Sequence, residues 1–258
     1  MEGYPVDELN LYLGEDITIA DGIVLRCPKI IDILEYGESS YFAMAQTLCA
    51  TPSSMKVVLD DKGLDYMKIT DFQLFSILIK TLSKDITHPL LGDLDLSSFS
   101  LHKYGEDDVA LCNEDKTIII TEIVYDALVT HIRKMHNFKK QVDKAGNEIT
   151  RKVLIAKDRK EAERNKNKPY KSTLKPIISA VKCRMGYSMD YIKGMSIFEI
   201  MNDLSRLNVI VQADAALGGM YSGFVDTKKM DKTVLDWTRD ITEESNKKNK
   251  TILKEGAN

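Results

Sequence analysis

Few residue types in this chain are spaced for chemistry, and each set points away from catalysis. Gly218-Gly219-x-x-x-Gly223 is the one glycine cluster. It follows a helical pattern where a phosphate-binding loop would precede one, and it lacks the Gly-Lys-Ser/Thr ending that cradles a phosphate chain. His131 and His136 are five residues apart on one expected helix, so their rings do not share a face as a four-residue spacing would allow. His88 stands before a proline and His102 in an expected strand, each isolated, which leaves surface or core roles for both. Cys27, Cys49, Cys112 and Cys183 are far apart with no C-x-x-C pair, so neither zinc nor a redox couple is indicated, and buried free thiols are expected. Asp107 and Asp108 sit in an acidic turn that lacks the spaced oxygens and terminal glutamate of a calcium loop. Neither G-x-S-x-G nor H-E-x-x-H occurs. The expectation is a non-enzymatic protein with no catalytic residue, no metal and no cofactor.

Charge is the stronger signal. The net charge of -3 hides a polarity along the chain: residues 1–132 carry 9 basic and 23 acidic side chains, residues 133–184 carry 17 and 5, and residues 185–258 carry 10 and 11. A basic island therefore adjoins an acidic half, which suits an acidic protein partner, nucleic acid, or pairing with the acidic half of the same chain or another copy. The candidate contacts are Lys139, Lys140 and Lys144 at its start and Arg151, Lys152, Arg159, Lys160 and Arg164 in its middle. Lys166, Lys168 and Lys171 follow in a linker-like tract. Only Phe138 and Tyr170 interleave with these bases, too few for the stacking platforms of single-strand binders, and no nucleic-acid-recognition motif accompanies the charge.

The elements that would position these residues read as α+β, mainly helical, with a small antiparallel sheet and a protruding basic hairpin. Residues 1–89 form a mainly helical region that opens with a loosely attached arm (1–15) and a small hairpin, Ile17–Ile19 against Ile23–Leu25 around Gly22. Helices are expected after Pro28, from Ser39 to Cys49, from Met55 to Asp60, from Leu64 to Met67, and after the Thr70-x-x-Gln73 capping box. Residues 90–137 give strands at Leu94–Leu101, Val109–Cys112 and Thr117–Ile120, then a helix capped by Thr121 with Ile123, Val124, Leu128, Ile132 and Met135 facing inward. Residues 138–171 form the excursion, a hairpin pairing Gln141-Val142 with Val153–Ile155, then a polar helix from Lys157 to Asn165. Residues 172–242 are helical: Leu174 to Met185 closed by Gly186, a helix opened by the Ser196-x-x-Glu199 capping box and stopped at Gly218-Gly219, an ordered turn from Met220 to Asp226, and a short helix from Asp231 to Ile241. Residues 243–258 form a flexible tail. No apolar run approaches the roughly 20 residues of a membrane span, and the first residues lack a signal pattern, so a cytoplasmic protein with no membrane partner is expected.

Several patches share a texture: Ser172–Val181, Leu217–Lys229, Leu235-Asp236-Trp237, Ile31–Leu34 and Ala50–Lys56. They resemble proteins of the tail-morphogenesis region of phages and prophages of Gram-positive bacteria, over about half of the chain. The resemblance implies a tail assembly chaperone that holds the tape-measure protein, or a minor tail or virion component, in the bacterial host cytoplasm or the virion. It supplies no site residues. Self-association of acidic face to basic island is a further expected contact, and the alternative function is a nucleic-acid-binding accessory protein acting through residues 133–184.

Overall fold

The computed structural model describes residues 6, 8–105, 108–222, 232–239 and 241. α1 (Glu8–Tyr12) precedes a hairpin of β1 (Ile17–Ala20) and β2 (Ile23–Leu25). Then come α2 (Ile30–Tyr36), α3 (Glu38–Leu48), α4 (Lys56–Asp61), α5 (Asp71–Leu78) and α6 (Lys84–Leu91). A second sheet holds β3 (Ser100–Tyr104), β4 (Asp108–Cys112) and β5 (Ile119–Ile120), antiparallel and in that spatial order. The rest is α7 (Glu122–His136), α8 (Glu148–Asn165), α9 (Leu174–Met185), α10 (Met189–Gly194) and α11 (Ile197–Tyr221). The class is α+β and mainly helical, 59% helix with two small antiparallel sheets.

Local chemistry sets many of these boundaries. Thr70 and Ser196 each accept a bond from the backbone three residues on, while Gln73 and Glu199 reach back, so both capping boxes form as the sequence indicates. Gly22 takes φ 74° in the first hairpin turn, and a Cβ there would come 2.9 Å from Ile118, so the turn needs both glycine's conformation and its smallness. Gly186, at φ 72°, closes α9. Glu38 on α3 caps α9 from a distance: its carboxylate accepts bonds from Ser172 Oγ (2.6 Å), Tyr170 Oη (2.9 Å) and the amides of Thr173 (2.6 Å) and Leu174 (2.9 Å). Partial burial alone would raise its pKa, yet these bonds together hold it below the usual carboxylate value.

One main core runs through the chain from Leu11 of α1 to Leu207 of α11, with Tyr41, Phe75, Tyr125 and Ile132 among its buried members. The start of α11 is laced to the N-terminal region: Ile30 N bonds Met195 O (2.9 Å) and Ile197 N bonds Pro28 O (3.1 Å). A smaller cluster joins Ala50, Leu59, Tyr66 and Leu74 to Ile155 of α8.

Several expectations are corrected. The protruding hairpin does not exist: residues 148–165 are the single helix α8. Asn147 is its N-cap, accepting from Thr150 N at 2.8 Å, and Val153 and Ile155 fall on different faces instead of alternating along a strand. The arm is tied down where it is described, because Leu11 is fully buried and Glu8 pairs with Lys134 at 2.7 Å. Pro28 lies ahead of the N-cap Lys29 and not in the first turn of α2. Leu64–Met67 is not helical and holds a turn at Tyr66-Met67. The strand expected over Leu94–Leu101 begins only at Ser100, after a 3-10 turn at Leu96–Ser98. Nothing in the pattern announces α6, which contains Pro89, or the short α10. Ile123, expected to face inward, is 70% exposed. Within Asp231–Ile241 the described residues 232–239 hold a 3-10 turn at Lys232–Leu235, with Trp237 exposed. Residues 106–107, 223–231 and 242–258, which include parts of the acidic turn and of the Met220–Asp226 turn and the whole tail, lie outside the described residues.

α11 also does not stop at Gly218-Gly219. It runs on to Tyr221, with neither glycine in the left-handed region. A Cβ on Gly218 would meet nothing within 4 Å. Gly218→Ala is therefore expected to stabilise the fold by about 0.5–1 kcal/mol, by removing unfolded-state freedom from a helical position. Chemical denaturation checks this.

Candidate functional site

The basic segment is held largely by its own chain. Lys140 pairs with Asp71 (2.6 Å) and Arg151 with Asp65 (2.9 Å). Arg159 bridges Asp60 (3.1 Å) and Asp61. Arg151, Ile155 and Arg159 follow each other at four-residue spacing, so α8 lays one stripe against α4 and the loop after it, with the buried isoleucine between two cations. Among the described residues Lys152 pairs within its own helix, with Glu148 at 3.4 Å. Lys144, Lys166 and Lys171 are exposed. Lys157, Lys160, Arg164 and Lys168 border a shallow depression on the outer side of α8. The eleven candidate cations thus divide among an internal staple, an outer face and one groove, and do not form a single surface.

Under α8 lies a residue that charge counting missed. Lys56, 1% exposed, places its amine 2.5 Å from Asp143 and against Asp158 of α8, with the Ser53 carbonyl at 3.4 Å. Burial works against its charge, but bonds and attraction from the two carboxylates raise its pKa overall. The segment before it grips the same loop: Thr51 Oγ1 donates to Gln141 O (2.8 Å), and Asp143 N donates to Ser53 Oγ (2.9 Å).

Two open grooves meet at the C-terminal end of α7. One, of about 610 Å³, runs between α3, the Thr51–Met55 turn and the chain leaving α7, with Ala43, Thr47, Met55 and Lys139 among its walls. The other, of about 450 Å³, runs between α7 and α11, with Phe198, Met201 and Arg206 in its walls and Ile241 at its edge. Arg133, Asn137 and Phe138 belong to both. Asn137 closes α7 at φ 54°, in the left-handed region that asparagine tolerates, and this bend turns Phe138 back into the angle between the grooves. Phe138 stacks on His136, ring centroids 5.0 Å apart, so the groove wall rests on a buried histidine. Arg133 is fixed by a 2.8 Å bond to Cys49 O. Among the described residues the walls hold four cations (Arg133, Lys134, Lys139, Arg206) and one carboxylate, Glu8, in a chain that is acidic overall. Only Lys139 of this set was singled out from sequence. Phe138 was read as a stray aromatic, and its position depends on the asparagine bend.

His131, His136 and three of the four cysteines are buried in the fold. His131 and His136 are both buried, each with Nδ1 2.7 Å from the carbonyl four residues upstream. Cys27 and Cys49 are buried, and burial pushes their thiols up to about 11 and about 12 respectively, far from a reactive thiolate. Cys112 is also buried, but Cys183 is exposed, against expectation. Glu199 and Asp203 of α11 are both raised by burial first. They accept bonds from Tyr191 (3.4 Å), Tyr187 (3.5 Å) and Tyr12 (3.4 Å), a cluster that ties α1 to α11. Among the described residues no group of three or more His, Cys, Asp or Glu is placed to hold a metal ion, and no helix is long and apolar enough to cross a membrane.

The molecule is a mainly helical α+β protein with two open grooves at the end of α7. Residues 164–242 match the family described as the YomV second domain, a domain of a prophage-region protein, which is consistent with a phage protein. The matched span runs from the last turn of α8 through α9, α10 and α11 and so includes one wall of the second groove. No curated protein and no solved structure matches the chain.

Proposed function

We propose that this is a non-enzymatic phage tail assembly protein, acting as a chaperone that holds the tape-measure protein or as a minor tail or virion component. The observation that carries this is the pair of grooves meeting at Phe138, with apolar side chains in their walls and cations beside them. A long amphipathic helix awaiting assembly needs its apolar face covered, and grooves between packed helices do this while leaving the polar face in water. The phage-region match supports the setting. Co-expression with the neighbouring open reading frames, followed by pull-down with nuclease at low and high salt, tests it. Salt-resistant capture of a long helical partner is expected; its absence at both salt concentrations would sink the proposal.

Nucleic-acid binding is the second function we consider, favoured by one observation: Lys157, Lys160, Arg164 and Lys168 lie together on the outer side of α8. It requires retention on DNA or RNA at low salt that collapses as salt rises. The ion pairs from Lys140, Arg151 and Arg159 to the acidic half weigh against it, because those cations already have carboxylate partners.

A further inference from the structure

We infer that the two grooves at the end of α7 take an acidic amphipathic helix, its apolar face against Phe138, Met55 and Met201 and its carboxylates toward Lys139, Arg133 and Arg206. This rests on the chaperone reading above and names the chemistry of the partner. The inference stands on three features of the site. The grooves share Arg133, Asn137 and Phe138, so they meet at one aromatic ring. Among the described residues their walls hold four cations and one carboxylate, that of Glu8, which is committed to Lys134 at 2.7 Å, while Arg206 spends one nitrogen on Trp237 O (2.5 Å) and Arg239 O (2.9 Å). Lys139 is exposed and has no ion pair among the described residues, unlike Lys140 beside it, which pairs with Asp71. Arg133 uses one nitrogen on Cys49 O, and a guanidinium has further donors for a carboxylate.

The charge of the grooves differs in kind from that of α8. On α8 the cations facing the molecule are matched by Asp60, Asp61 and Asp65, and no apolar recess lies beside the free ones, only a depression walled by lysines, an arginine, an asparagine and Glu161. At the end of α7 unmatched charge and apolar wall coincide, as a helix with an acidic and an apolar side requires. A nucleic-acid strand would use the cations but gain little from the partly exposed Met55 and Met201.

The test uses two labelled peptides of about 20 residues, which span about 30 Å as helices. Both carry leucines at i, i+3, i+4 and i+7, one with glutamates and the other with lysines on the opposite face. Fluorescence anisotropy against the full chain is expected to show the glutamate peptide binding at least about tenfold more tightly than the lysine peptide. Lys139→Glu, at an exposed position, and Ala43→Trp, a plug at an exposed position of α3, should each weaken it by about tenfold. Lys160→Glu, on the outer side of α8, should leave it unchanged. Equal binding of both peptides, or binding indifferent to Lys139→Glu and Ala43→Trp, overturns the inference. So does a single-stranded DNA oligonucleotide that binds in competition with the peptide and more tightly than it. Capture of a tail protein in the co-expression experiment that survives both groove variants would leave the chaperone function standing and remove only the site assigned here.

Discussion

Replacing Lys56 by alanine is expected to cost about 3–5 kcal/mol of folding stability, the scale found when one partner of a buried ion cluster is removed. The amine is enclosed, at 1% residue exposure, and the two carboxylates it neutralises come from different segments, Asp143 from the chain after α7 and Asp158 from α8. Without the amine the two carboxylates, whose side chains are 28% and 30% exposed, are left facing each other with no counter-charge between them. The lysine stem, which packs inside the fold, is lost as well. Against the 5–15 kcal/mol typical of a natural domain this is a large fraction. The charge balance gives the control. Lys56→Met with Asp143→Asn and Asp158→Asn removes all three charges, and should recover most of the loss, because neutral replacement of a whole buried cluster is often near break-even. Urea denaturation followed by circular dichroism measures both. A loss below about 1 kcal/mol in Lys56→Ala would mean that the amine does not sit between the carboxylates. The sign with pH is also fixed. Burial pushes Asp143 up, but bonds from Lys56 and Gln141 bring it below its ordinary value overall. Its contribution is therefore present at neutral pH and lost as acid protonates it through that lowered pKa.

That cluster also shows where sequence reading succeeds and where it stops. Helix starts were legible because a capping box is local: Thr70 with Gln73 and Ser196 with Glu199 satisfy each other within one turn. The helix expected from Ser39 to Cys49, found as α3, was legible because its apolar residues recur at helical spacing. The basic hairpin failed because Val153 and Ile155, two apart, imitate a strand, while the force that settles the matter is long-range: Arg151 and Arg159 reach Asp65, Asp60 and Asp61 nearly a hundred residues away. The possibility that the basic island pairs with its own acidic half could be stated from charge counts, but not which pairs form. Lys56 lies in a stretch whose net charge looks ordinary, so nothing local marks it as buried. The grooves were illegible for the same reason, since Ala43, Met55, Phe138 and Met201 come together only once α3, α7 and α11 have packed.

Acid is expected to weaken the fold by about 3 kcal/mol through His136 alone as the pH falls from above 6.5 to about 4. The ring lies in the core at 2% exposure. Its Nδ1 is 2.7 Å from Ile132 O, which can only accept, so Nδ1 carries the proton; Nε2, 2.6 Å from Tyr41 Oη, then accepts the phenol's hydrogen. A second proton on Nε2 would place a charge in the core and break the bond from Tyr41 unless that hydroxyl turned. Burial is the main cause that lowers the pKa from 6.5 to about 4, with the bond to Ile132 O pulling weakly the other way. Between those values the unfolded chain binds a proton that the fold refuses. Stability is thus fully present above pH 6.5 and is lost progressively as the pH drops to about 4. The double variant His136→Phe with Tyr41→Phe removes donor and acceptor together, and should flatten this part of the pH profile while leaving the carboxylate-driven fall below it. If wild type and double variant lose the same stability between pH 7 and pH 4.5, the ring is not the neutral, enclosed group described. Because Phe138 stacks on this imidazole, a proton on His136 would also disturb the ring shared by the two grooves. The fold keeps that ring neutral until the pH approaches 4, so binding of the acidic helix should not change through His136 between pH 7 and pH 5.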